Sequence, residues 1–261
     1  MWIRSAKNII RIPLTSYVKI FASFFTAILI ILVFGYLKHD ARSIQNRNGL
    51  INFFVVTFMI QSITNVTLIF PDERPVFLRE QGSNLYSPTA YFLSKFFTEN
   101  IIMFIMATII FTTVYFSVGL NTESVKQPLI FYSFTLLLVW VGTGIGLLMG
   151  TIISDKKVVM VVTPVTIMPL FLFSGFFVNQ NNILPVLTPF EYLSPFKYSF
   201  QALAINEYDD LNLSCHPQCD PLRELDFDMT LEESVAGLAA VGVAVYLIAY
   251  IILLILSKRA K

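Results

Sequence analysis

Six long stretches without a charged residue most strongly constrain how this chain of 261 residues can fold. They are residues 20–37, 48–70, 100–122, 127–154, 158–190 and 234–257. Each is long enough to cross a bilayer, whose hydrocarbon core requires roughly 20 apolar residues in a helix. Only 13% of all residues are charged, against roughly 25% in soluble domains. A soluble protein with buried helices is disfavoured, because its apolar segments would be shorter and flanked by amphipathic helices.

The sequence therefore predicts an all-α membrane protein with six transmembrane helices. We place the spans at about residues 18–37, 48–70, 96–120, 127–150, 158–178 and 234–257. Residues 1–14 mix apolar and basic side chains, a pattern typical of an amphipathic helix in the membrane interface. The transmembrane domain then covers residues 15–261, with an outer loop at 179–233 whose first part is too polar and proline-rich to stay in lipid.

The charge distribution predicts an orientation. Cytoplasmic flanks of membrane proteins are enriched in lysine and arginine. Both ends of this chain are basic, through Arg4, Lys7, Arg11, Lys258, Arg259 and Lys261. The segment 179–233 holds ten acidic and two basic residues, which fits the opposite side. We expect both termini in the cytoplasm and the chain in the plasma membrane, although Lys38, Arg42 and Arg47 would then lie in an outer loop.

The predicted outer loop carries further candidate sites. We expect Cys215 and Cys219 to form a disulfide, within the chain or between subunits, because an exterior compartment permits oxidation. Two free thiols, or a metal site with His216, are the alternatives. Asn212 begins an N-x-S sequon and is a candidate glycosylation site if the loop enters a eukaryotic secretory pathway.

Small residues and prolines mark two of the predicted spans. Gly142, Gly146 and Gly150 recur every four residues in the fourth span, a spacing that lets another helix approach closely. Pro164 and Pro169 predict a kink in the fifth span. We interpret the glycine strip as a packing surface.

The chemistry that the sequence lacks narrows the function. It contains no G-x-x-x-x-G-K-[ST] phosphate loop, and no span holds histidine and acidic residues at metal-ligand spacing. No span centre carries an ionisable residue of the kind that ion-coupled carriers use. These absences argue against a membrane enzyme and against a self-contained ion-coupled transporter. They leave a permease whose energy is supplied elsewhere.

Several sequence blocks, in order along the chain, carry a resemblance to a known family. They are SIQNRNG at 43–49, ERPVFLRE at 73–80, YSPTAYFLSK at 86–95, FSGFFVN at 173–179, PFEYLSPFKY at 189–198 and NEY at 206–208. Together they resemble the transmembrane domain of G-subfamily (White and pleiotropic-drug-resistance type) ABC exporters, within the ABC-2 permease class.

The resemblance implies partners and an energy source. Two such domains form a homodimer or heterodimer in membrane lipid around an apolar cavity. An ABC nucleotide-binding domain binds ATP and Mg²⁺ and switches the cavity between inward-facing and outward-facing states. We expect no cofactor in this chain and no nucleic-acid partner. The ATPase usually precedes the membrane domain, so we expect it upstream in the same gene or on a separate subunit.

The resemblance also implies site residues. The cavity candidates are Phe58, Gln61, Pro164, Met168 and Phe171. Phe176 and Phe177 correspond to an apolar plug below the exit. The inner loop after the second span is expected to act as a coupling helix on the ATPase at about residues 80–87, and the coupling candidates are Glu73, Arg74, Arg79, Glu80 and Tyr86. The expected function is the permease part of an ATP-driven exporter for lipids, sterols or amphipathic small molecules. The alternative is a truncated or scaffold membrane protein that transports nothing and dimerises with full-length relatives.

Overall fold

The structure, a computed structural model, describes residues 13–37, 41–83, 85–177, 186–209 and 229–260, together with 211, 222, 225 and 227. Within these residues it contains nine α-helices and no strand. They are α1 (Pro13–Phe34), α2 (Ala41–Thr67), α3 (Ile69–Gly82), α4 (Pro88–Val118), α5 (Lys126–Ile152), α6 (Lys156–Leu172), α7 (Thr188–Leu193), α8 (Pro195–Tyr208) and α9 (Leu231–Ala260).

Local sequence signals set several helix ends. Ser87 caps α4, because its side chain accepts a hydrogen bond from the Ala90 amide, and Pro88 is the first helical residue. The helix ends at Gly119, whose φ of 76° is left-handed and therefore favours glycine. Asp155 caps α6 in the same way, accepting from the amide of Lys157 at 2.7 Å.

The core is built around α5, which packs against α2 on one side and α9 on the other. A Cβ atom added to Gly146 would lie 2.6 Å from the carbonyl oxygen of Ile63, and one added to Gly150 would lie 2.9 Å from that of Thr67. The backbones of α2 and α5 therefore touch along the glycine strip, which confirms its predicted packing role.

The all-α prediction is confirmed for the described residues, and part of the span prediction is supported. Four helical runs are long and apolar enough to cross a membrane: Ser43–Gly82, Pro88–Val118, Lys126–Ile152 and Leu231–Lys258. The predicted first span corresponds to α1, whose apolar part Val18–Phe34 is shorter. The predicted fifth span corresponds to α6, which has 17 residues.

Three segments that we expected to be loops are helical or buried. The predicted outer loop contains α7 and α8, and nearly every side chain of α8 is buried because it packs among α2, α5 and α9. The inner loop, where a coupling helix was expected at about residues 80–87, is largely α3, which ends earlier at Gly82 and buries Phe77 and Gln81. Arg47 lies inside α2 and is fully buried, since Glu207 of α8 supplies the opposite charge.

Candidate functional site

An apolar groove of about 310 Å³ runs between α2 and α6. Its lining is Val56, Ile60, Thr64, Thr67, Leu68, Val159, Met160, Thr163, Pro164, Ile167, Met168 and Phe171. A groove lined mainly by apolar side chains with a few polar groups is the usual form of a small-molecule site.

Three threonines supply the polar side chains of the groove. The hydroxyl of Thr64 donates to the carbonyl of Ile60 at 2.7 Å, and that of Thr67 donates to the carbonyl of Ile63 at 2.7 Å. Thr163 differs, because its buried Oγ1 has no hydrogen-bond partner in the described part of the chain. It is therefore the groove's one unsatisfied side-chain hydroxyl among the described residues.

The structure brings together the predicted cavity residues of α6 but not those of α2. Pro164, Met168 and Phe171 line the groove. Phe58 is 2% exposed and packs against the ring of Phe54. The side chain of Gln61 points to α1, where its amide donates to Ser23 Oγ at 3.4 Å. These two residues of α2 therefore do not line this groove, and their predicted role in a substrate cavity stays a prediction.

The α2 face that borders the groove has a recognisable periodicity. Val56, Ile60 and Thr64 are spaced four residues apart, so they form one stripe along the helix. Sequence motifs give the position of a helix along the chain, whereas this stripe identifies the face of α2 that borders the groove. The spacing was visible in the sequence, but the partner helix that it faces was not.

An aromatic cluster lies at the Phe171 end of the groove. Phe177 packs edge-on against Phe171 with ring centroids 5.0 Å apart. The ring centroids of Phe176 and Phe200 of α8 are 5.7 Å apart, and those of the two predicted plug residues, Phe176 and Phe177, are 5.0 Å apart. Gly175, with a φ of 84°, permits the sharp turn before them. Through Phe171, the predicted plug is in direct contact with the groove.

The predicted coupling residue Glu73 joins α3 to α4. Its carboxylate pairs with Lys95 Nζ at 2.6 Å and accepts a hydrogen bond from the Tyr91 hydroxyl at 2.7 Å. Lys95 therefore pairs with Glu73 on a different helix. Its neighbour one turn along, Glu99, is buried. Glu73 is thus held by two contacts to residues near the start of α4.

The end of α3 is anchored by residues that motif matching missed. Tyr86 donates to the Glu80 carboxylate at 2.8 Å, so two predicted coupling residues contact each other. Gln81 is fully buried; its amide donates to the Tyr86 carbonyl at 3.1 Å and accepts from Ser257 Oγ at 3.0 Å. The turn after α3 is therefore tied to α9.

The two predicted coupling arginines differ in their surroundings. Arg79 is exposed, whereas Arg74 is partly buried and its Nη1 has no hydrogen-bond partner in the described segments. A nearby exposed pair, Asp72 and Lys156, joins α3 to the start of α6 at 2.7 Å. Because both side chains are about half exposed, that pair contributes little stability.

Other predicted sites lie outside the described residues or stay predictions. Asn212, Cys215 and Cys219, with their glycosylation and disulfide, belong to a segment that the structure does not describe. Within the described segments, no three histidine, cysteine or acidic side chains come together in a way that could hold a metal ion.

Comparison with known proteins shows what the chain is similar to. A sequence profile of the ABC-2 type transporter family matches residues 1–208. Protein white of Drosophila melanogaster is 30% identical over 270 residues, which cover 100% of this chain and 39% of that protein. The broad substrate specificity ATP-binding cassette transporter ABCG2 of Mus musculus is 30% identical over 211 residues, covering 79% of this chain and 32% of that protein.

A third relative, ABC transporter G family member 1 of Dictyostelium discoideum, is 27% identical over 215 residues, or 81% of this chain and 27% of that protein. The chain thus spans between 27% and 39% of the length of these three relatives. Given the profile match over most of its length and the long apolar helices, this chain belongs to the ABC-2 type transporter family and is a multi-pass membrane component of a transporter related to the ABCG and White proteins.

Proposed function

We propose that this chain is the permease part of an ATP-driven exporter for lipids, sterols or amphipathic small molecules. The observation that carries this proposal is the apolar groove between α2 and α6, which leads to the aromatic cluster of Phe171, Phe176 and Phe177. An apolar lining selects its occupants by hydrophobicity and shape. Cargo would move along the groove and leave past Phe177, which is half exposed at the end of that cluster.

The proposal includes partners and a topology. A nucleotide-binding domain, on the same polypeptide or on a separate subunit, would bind ATP and Mg²⁺. A second membrane domain, identical or related, would complete the cavity. In this topology α1 and α6 are the two shorter crossings, the chain crosses the plasma membrane six times, and both termini are cytoplasmic.

Coupling would act through α3. Glu73 forms an ion pair with α4, and Gln81 forms a hydrogen bond with α9. A displacement of α3 by the nucleotide-binding domain would therefore move both helices. The exposed Arg79 provides a charged contact point on the surface of the same helix.

Transport by the reconstituted protein tests the proposal. The chain would be assembled with its nucleotide-binding domain in proteoliposomes, and ATP-dependent movement of a fluorescent phospholipid would be measured. Met168→Trp fills the groove at a residue that is 70% exposed, whereas Leu32→Trp adds the same bulk at a residue of α1 that is 78% exposed.

We expect Met168→Trp to abolish movement and Leu32→Trp to leave it within about twofold of the wild type, because only the first obstructs the groove. Equal transport by both variants would reject the groove as the route. Assembly with a full-length relative but no ATP-driven movement of any amphiphile would instead identify a scaffold.

A further inference from the structure

One side chain in the groove is left unsatisfied in a way that the packing of the helices does not explain. Thr163 is 5% exposed and lines the groove, and its Oγ1 has no hydrogen-bond partner within the described residues. Threonines within helices usually donate to a carbonyl three or four residues earlier. Thr64, Thr67 and Thr166 all do so here, each donating to the carbonyl four residues earlier.

A backbone carbonyl one turn away lacks its usual helical donor. Pro164 has no N–H, so the carbonyl of Met160 loses the hydrogen bond that residue 164 would otherwise donate to it. Met160 and Pro164 both line the groove. A buried polar group without a partner costs free energy comparable to a lost hydrogen bond. The segment around Pro164 therefore combines an unpartnered hydroxyl, among the described residues, with a carbonyl that lacks its usual helical donor, beside an apolar space.

We propose that Thr163 and the Met160 carbonyl together recognise a single hydroxyl group on an otherwise apolar cargo. The cargo oxygen accepts a hydrogen bond from Thr163 Oγ1, and the cargo O–H donates to the Met160 carbonyl. Threonine uses two χ1 rotamers in helices, and rotation between them exchanges its methyl and hydroxyl groups, which presents Oγ1 to the groove. This inference rests on the proposed function, because it assigns a specificity-determining residue within the proposed route.

The preferred substrate class is then an apolar alcohol, such as a sterol, over the corresponding hydrocarbon. A groove with a satisfied polar lining would not distinguish the two by a hydrogen bond. A groove with an unsatisfied donor favours the alcohol over the hydrocarbon, because the hydrocarbon leaves that donor buried and unpaired.

Competition photolabelling tests the inference without requiring ATP hydrolysis. The full chain in phospholipid nanodiscs is labelled by a photoreactive cholestanol. Unlabelled cholestanol and cholestane, which differ only in the hydroxyl group, then compete for labelling of the α6 peptide. Partition of each sterol into the nanodisc is the same for every variant, so changes in the ratio of the two competition constants report on the site.

We expect Thr163→Val, which keeps the shape but removes the hydroxyl, to reduce the preference for cholestanol by about tenfold. Thr163→Ser restores the hydroxyl and should restore the preference. Thr166→Val is the matched control, because Thr166 lies on the same helix outside the groove lining and its hydroxyl is already bonded to the Val162 carbonyl.

An unchanged preference in Thr163→Val would overturn the inference. Equal loss in Thr166→Val, or no labelling of α6 in the wild type, would also overturn it. Failure of ATP-driven transport with the preference intact would reject the proposed function and leave the hydroxyl site standing. Normal transport in the wild type combined with an unchanged preference in Thr163→Val would reject only the hydroxyl site.

Discussion

Arg47 of α2 and Glu207 of α8, which lie 160 residues apart in the sequence, form an ion pair in which both side chains are fully buried. The guanidinium also donates to the carbonyl of Gly119 at 3.3 Å, beyond the end of α4. The carboxylate accepts from the amide of Asn121 at 3.0 Å. This ion pair and its hydrogen bonds therefore connect α2, α8 and the segment that follows α4.

Removing one partner of this pair should destabilise the protein strongly. Arg47→Met leaves Glu207 as an uncompensated buried charge, at a cost of roughly 3–5 kcal/mol. We expect the thermal midpoint of the purified protein, followed by size-exclusion chromatography after heating at about pH 8, to fall by about 10 °C. The double variant Arg47→Met with Glu207→Gln should recover part of this loss, because no charge remains unpaired. A double variant less stable than Arg47→Met would contradict this account.

The pair also predicts a pH dependence. Burial raises the pKa of Glu207 from 4.5 to about 7, and the opposing effects of Arg47 and the Asn121 amide are smaller. The folded protein therefore binds this proton more tightly than the unfolded chain does. The resulting stabilisation is fully present below pH 4.5 and is lost as the pH rises to about 7. We expect the thermal midpoint of the wild type to fall over this range relative to Glu207→Gln, which cannot titrate. Parallel pH profiles would show that Glu207 is not responsible.

The contact between α2 and α5 can be tested with two glycines. Gly146→Ala would place its Cβ 2.6 Å from the Ile63 carbonyl oxygen, so the two backbones must separate. We expect a loss of about 1–3 kcal/mol and a lower thermal midpoint. Gly49→Ala is the control, because its nearest neighbour would be a Phe34 ring atom at an ordinary 3.6 Å. Helix propensity should make Gly49→Ala neutral or slightly stabilising. Similar losses in both variants would mean that close approach is not the cause.

The link from α3 to α4 should affect coupling more than folding. Glu73→Gln retains an acceptor for the Tyr91 hydroxyl but removes the charge that pairs with Lys95. In the reconstituted transporter we expect transport per ATP hydrolysed to fall several-fold with little change in thermal midpoint. Asp72 precedes Glu73 in the chain and forms an exposed pair with Lys156. Asp72→Asn, which breaks this exposed pair, should change transport by less than about twofold. If Asp72→Asn reduced transport as much as Glu73→Gln, the specific role of the link would be refuted.

Features carried by consecutive residues were predictable, and features that depend on helix faces were not. The predicted cavity residues Pro164, Met168 and Phe171 all line the groove, and the motif near Gly175 had placed them along one helix. Phe58 does not line it, since a helix turns by about 100° per residue and a shift of one or two positions changes the side that it presents.

The buried α8 shows a second limit. Its proline start at Pro195 and its serine cap at Ser194 were readable as a helix start. The many acidic residues in the same sequence segment predicted an outer loop, and they gave no sign that α8 would be buried. The pairing of Glu207 with Arg47 allows both residues to be buried, because each charge is acceptable in the core only when the other is present.

The sequence by itself determined that this chain is helical and membrane-embedded, because apolar length and a lack of charge are properties of consecutive residues. It also determined the close packing of α5, since glycines spaced four residues apart must share a face. Only the tertiary structure decided which side of α2 borders the groove, where Arg47 finds its partner, and that Thr163 has no hydrogen-bond partner in the part of the chain that the structure describes. Those outcomes depend on contacts between residues far apart in the chain, and no local pattern encodes the rotation and position of the helices that make them.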